Sequence, residues 1–226
     1  MLEAVKGALD YLTRNGISVP ADVWQKALRA RVFKAEGGLP VINADYHNRI
    51  TQALIGYFEG SGSVTAPRNE FKRAMVEAFG AAFELGWHTG GGELPAEPDA
   101  QDWLAARVDA EMGYIDQVLQ NAKELRAEGG DYFEWVTSRA DGFTGSVASV
   151  YNYAKMAAKK NIMLEWVFGD TVEHCQTCEK LNGQKHRASW YLSRDYIPRK
   201  PGANLECGGY RCLCRLVDSE GNEFTL

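Results

Sequence analysis

Apolar residues recur at three- and four-residue intervals over most of the first 160 positions, the period of an amphipathic helix. A first such run is predicted from about 21 to 35, opened by Pro20 and with Val23, Trp24, Ala27, Leu28, Arg31 and Val32 at helical spacing. Gly37, Gly38 and Pro40 are expected to end it. A second helix is predicted from about 42 to 58, with Ile42, Ile50, Leu54 and Tyr57 on one side. Ser61-Gly62-Ser63 reads as a boundary, and Thr65 is then expected to cap a helix with Pro67 in its first turn. Its stripe runs through Phe71, Met75, Phe79, Ala82, Phe83, Gly86 and Trp87, and Gly90-Gly91-Gly92 breaks it as a candidate hinge.

The most regular stripe lies from about 99 to 127, where Leu104, Val108, Met112, Ile115, Leu119, Ala122 and Leu125 share a face. Asp99 near its start and Arg126 near its end suit the helix dipole, and Gly129-Gly130 stops it. A further helix is expected from about 131 to 160, weakened by Gly142 and Gly145. The pattern changes near residue 162. Ile162 to Phe168 is rich in strand formers, Cys212 to Val217 alternates, and Ser219 to Asn222 reads as a turn. The expected fold class is α+β, mainly α. Its parts are a helical segment over 1–60, a helical domain over 61–161 and a small β/loop module over 162–226.

Composition narrows the function classes. The 226 residues carry a formal charge of −5, a poor starting point for a general nucleic-acid binder. The N-terminus shows no basic segment followed by an apolar one, and no apolar run has membrane-spanning length. A soluble protein held in a reducing cytoplasm is expected.

All five cysteines fall at or after residue 175. Without an oxidising compartment, crowded thiols point to metal before disulfides. Cys175-Gln176-Thr177-Cys178 is a C-x2-C, and about 28 residues further on comes Cys207-Gly208-Gly209-Tyr210-Arg211-Cys212-Leu213-Cys214. A C-x2-C aims two thiolates at one centre, and a distant pair closes a tetrahedron. The spacing predicts about one structural zinc, held by Cys175, Cys178, Cys207 and Cys212, with Cys214 or His186 as alternative ligands. Gly208-Gly209 would let the second loop turn tightly beside the metal. Neither His174 nor His186 has an assignable orienting carboxylate, and no P-loop, G-x-S-x-G or H-E-x-x-H is present, so no enzyme and no small-molecule substrate is expected. His47 and His88 stand alone. Basic charge gathers at Lys155, Lys159 and Lys160 and around the cysteines at Arg194, Arg199, Lys200, Arg211 and Arg215, offset by Glu173, Glu179, Asp195 and Glu206.

One set of motifs goes further. Tyr151-Asn152-Tyr153-Ala154-Lys155-Met156, Glu165-Trp166, Asp170, the C-x2-C, Leu181-Asn182-Gly183-Gln184 and Arg211-Cys212-Leu213-Cys214 together resemble the phage head morphogenesis family, typified by the Mu F-like minor head protein. The resemblance is specific over about 151–217, general over about 65–150, and does not extend to 1–60. The chain departs from the family's closing His-Pro-x-Cys-Arg-Cys. It has no such His or Pro, Cys207 stands as the replacement ligand, and Leu213 replaces the arginine. The resemblance implies a virion component made in the bacterial host cytoplasm. Such a protein acts structurally in head assembly beside phage portal and capsid proteins, away from membranes. The alternative function is a zinc-stapled module contacting packaged DNA.

Overall fold

The computed structural model describes residues 38–226, apart from 61, 95, 170–172, 199, 201, 210, 211 and 226. The helix expected over 21–35 lies outside the described residues. Four long helices come first: α1 (Gly38–Glu59), α2 (Thr65–Thr89), α3 (Pro98–Glu128) and α4 (Phe133–Ala158). A mixed region follows, with β1 (Met163–Val167), α5 (Gln176–Leu181), β2 (Lys185–Arg187), α6 (Ala188–Ser193) and β3 (Arg215–Val217). The class is α+β, mainly α, as the patterning predicts. No helix among the described residues is long and apolar enough to cross a membrane.

Helix ends follow local chemistry. Gly38 takes φ +63 at the start of α1, and Pro40 sits in the first turn where its missing N–H costs nothing, so these residues open this helix. In α2 the first ladder bond runs from Arg68 N to Val64 O at 3.0 Å. Thr65 is therefore the first helical residue and not the cap. α3 stops at Gly129, whose left-handed φ of 68 lets Gly129 and Gly130 reach back to the carbonyls of Arg126 and Leu125. α4 is continuous through Gly142 and Gly145.

The chain divides into two compact units. Among the described residues, one joins 38–82 with Glu97–Val147, and the other joins Phe83–Ala96 with the residues from Ala148 on. In the first unit, Ile42, Tyr46, Ile50 and Leu54 of α1, Phe71, Met75 and Phe79 of α2, Ile115 and Leu119 of α3, and Val136 and Phe143 of α4 are buried. Edge-to-face rings knit them together, with Tyr46 centred 6.2 Å from Phe79 and 6.5 Å from Phe143, and Phe71 5.6 Å from Phe143. A buried polar strip crosses this apolar core. Arg107 pairs with Glu111 at 2.9 Å, and Ser146 Oγ donates to Glu111 Oε1 at 2.8 Å.

In the second unit, the end of α2 lies directly against α4. A Cβ on Gly86 would strike the Tyr151 carbonyl, and one on Gly90 would strike that of Lys155. The glycine run expected as a hinge is instead a packed cap. Gly92 N donates to Trp87 O at 2.9 Å, and Trp87 Nε1 donates to Glu93 O at 2.8 Å. The sheet has the order β2-β1-β3 and is antiparallel throughout. On the central strand, Leu164 and Trp166 face inward and Met163, Glu165 and Val167 face outward, the period-2 pattern of a half-buried strand. Trp166, Leu164, Tyr191, Leu216 and Met156 make a small core that also takes in Cys178, Cys212 and Cys214. The turn at 219–222 is held by Asp218, whose Oδ1 accepts the N–H groups of Glu220 and Asn222.

Candidate metal centre

Three local structures carry the sulfurs. Cys175 stands at the N-cap position of α5 and Cys178 lies one turn inside it. The expected loop here is a short helix, because C-x2-C spacing with Glu179 and Lys180 closes a single turn. Cys207 enters a tight turn in which Gly208 and Gly209 take φ of 60 and 75, as the double glycine suggested. A Cβ on Gly209 would run into the Lys200 carbonyl, so this turn has no room for another residue. Cys212 and Cys214 precede β3, and Cys214 is 1% exposed.

All five cysteines are free thiols, and all five meet. Two groups form, each with its sulfurs within 4.8 Å of one another: Cys175, Cys178 and Cys207, and Cys178, Cys212 and Cys214. Cys178 belongs to both. Its Sγ lies 3.3 Å from that of Cys175 and 3.9 Å from that of Cys212. A zinc–sulfur tetrahedron with bonds of about 2.3 Å has edges of about 3.8 Å, so the 3.9 Å separation matches such an edge and the 3.3 Å one is shorter, and the cluster could hold a metal ion.

Backbone N–H groups surround the sulfurs. Burial raises Cys175, but the Cys178 N–H and thiol, with the Cys207 N–H, outweigh it and hold Cys175 low. Hydrogen bonds from Cys178 and Cys212 hold Cys214 down to about 3, helped by the Gly169 N–H and by Trp166. The indole Nε1 of Trp166 is buried without a fully formed hydrogen bond, yet it lies close enough to favour a Cys214 thiolate. Cys207 is pushed up to about 11, first by burial. Cys178 is driven far up because it keeps its proton and donates hydrogen bonds to Cys212 and Cys214.

The histidines divide. His174 stacks on Phe168 with ring centroids 3.7 Å apart, and its Nδ1 lies 3.8 Å from Cys214 Sγ. His186, the alternative ligand, sits on the far edge strand of the sheet from β3. There it stacks on Trp190 at 3.6 Å and bonds Gln184 Oε1 at 3.0 Å, and it joins neither sulfur group. His174 was legible only as an isolated histidine beside the C-x2-C. In the first unit His47 pairs with Asp141 at 3.1 Å, and in the second His88 is exposed on the last turn of α2.

The basic residues are also partly accounted for. Lys155 donates to the Phe224 carbonyl at 3.0 Å with its ammonium over the Phe224 ring, and Lys200 is buried on Asp195 at 2.8 Å. Arg194 covers the Trp190 ring at 4.3 Å. Arg199, Arg211 and Asp170 lie outside the described residues. In comparisons with protein-family models, curated proteins and solved structures, nothing matches this chain.

Proposed function

We propose that this chain is a minor head protein of a tailed phage, a structural, non-catalytic component that acts near the portal during head assembly. Its cysteine cluster binds zinc and so fixes a rigid docking tip. The observation that carries the reading is the meeting of five sulfurs from stretches about 28 residues apart, on a sheet whose central strand bears the Glu165-Trp166 of the family motif. Leu181-Asn182-Gly183-Gln184 supports it too. Gly183 N donates to Trp166 O at 2.8 Å, and Asn182 Oδ1 accepts Phe168 N–H at 3.1 Å, so the turn latches onto the strand that the motif pairs it with. Zinc fits the donor set because clustered thiolate ligands suit a structural ion.

A module gripping packaged DNA is the weaker reading. Lys155 and Lys200, two cations that would contact phosphate, are committed to Phe224 and Asp195 inside the unit. The test is cross-linking mass spectrometry on assembled particles. The expected result is this chain in the head with cross-links to portal and capsid proteins. Its absence from particles, or recovery only on DNA in a salt-sensitive complex, would overturn the proposal.

A further inference from the structure

A single tetrahedral zinc needs four sulfurs with every separation near about 3.8 Å. The five thiols here are grouped differently. They form two triangles that share one corner, with Cys175 and Cys207 on one side of Cys178 and Cys212 and Cys214 on the other. Any one-ion set of four draws from both triangles and leaves a fifth sulfur beside the metal. If Cys214 is left out, a sulfur 1% exposed stands without a cation among N–H donors from Gly169 and Trp166. If Cys207 is left out, the turn built by Gly208 and Gly209 sets its sulfur against Cys175 and Cys178 with no ion to share.

We propose that the cluster holds two zinc ions, one in each triangle, with Cys178 as a bridging thiolate. This rests on the zinc reading above and adds its stoichiometry and ligand roles. The inner ion takes Cys178, Cys212 and Cys214. His174 Nδ1 lies 3.8 Å from Cys214 Sγ but outside the triangle of the three sulfurs, so the imidazole completes the shell by turning from its stack on Phe168 toward the ion. The outer ion takes Cys175, Cys178 and Cys207. Cys175 and Cys207 are only half-buried, so a water completes its shell. Charge favours the pair. Five thiolates carry −5, one zinc leaves −3, and two leave −1, a smaller burden for a buried site. The N–H groups facing Cys175, Cys207 and Cys214 are the outer-shell donors that metal thiolates use.

Native mass spectrometry of the full chain, purified with zinc, counts the ions. Two zinc ions per chain are expected. Cys207→Ser and Cys214→Ser each keep one, and Cys178→Ser keeps none. Because a variant can fail to fold, the wild-type chain is also titrated with Co2+. Sulfur-to-cobalt charge-transfer absorption should rise to two equivalents, and the paramagnetic signal per cobalt should fall as the second ion enters and couples through the shared sulfur. Saturation at one equivalent overturns the two-ion site and leaves the zinc tip standing. No bound metal in either experiment overturns both.

Discussion

The Glu206 carboxylate accepts the backbone N–H of Gln176 at 2.7 Å, while the Glu206 N–H donates to Thr177 Oγ1 at 3.2 Å. The residue before Cys207 is thereby locked to the two residues inside the C-x2-C. Two cysteine loops far apart in sequence are held in register by this clasp.

Loss of this clasp should weaken the metal and spare the fold. Thr177→Val and Glu206→Ala are each expected to lower zinc affinity about 10–100-fold, the usual cost of removing an outer-shell partner. Competition with a chromophoric chelator reads it. Unchanged affinity in both variants would show that the clasp plays no part in binding.

Gly169 packs so tightly that a Cβ there would overlap the Leu213 carbonyl. Its N–H also faces Cys214. Gly169→Ala must push the end of β1 away from the segment carrying Cys212 and Cys214. A loss of about 1–3 kcal/mol is expected, the range for overpacking, together with weaker zinc binding. Urea denaturation with and without zinc measures both, and a variant matching wild type in both would refute the close approach.

The helices were largely legible because each long stripe repeats many times. Ile42, Ile50, Leu54, Val108, Ile115 and Leu119 are buried as their spacing predicts. The polar core strip was not legible, since Arg107 and Glu111 look like an exposed i,i+4 pair until the surrounding helices cover them. The strand over Ile162–Phe168 was readable from its strand-forming residues, but α5 and α6 were not. Each is six residues long, too short for a period to show, and each is held by tertiary contacts such as Tyr191 Oη donating to Gln184 O at 3.0 Å. Sequence spacing named the five sulfurs but not their grouping. Which sulfur neighbours which depends on the turns at Gly208-Gly209 and Gly169, and only packing sets those.

Burial raises Glu111 above its ordinary value of 4.5, with Arg107 and Ser146 pulling the other way. The folded chain therefore holds this proton more tightly than the unfolded chain does. Stability from the group is fully present below 4.5 and is lost as pH rises through the raised folded value. Glu111→Gln cannot titrate. The stability of wild type relative to this variant should fall as pH climbs from 4.5 and then level off. Urea melts across that range test the sign, and a relative stability that rises with pH would contradict the burial account.

Removing metal should divide the molecule. The small core around Trp166 includes Cys178, Cys212 and Cys214, so three of its members are the sulfurs that would lose their cation. A core this small depends on such a staple, and metal binding contributes about 10 kcal/mol or more to modules of this kind. The helices of the first unit bury their own stripes and need no ion. Hydrogen exchange after treatment with a strong chelator should show protection collapsing over 163–217 while it persists over 98–128. Trp166, now 0% exposed, should become wet and shift its emission to the red. Protection that survives equally in both stretches would mean that the apolar contacts of Leu164, Tyr191 and Leu216 hold the sheet unaided, and that the ion has a purpose other than folding.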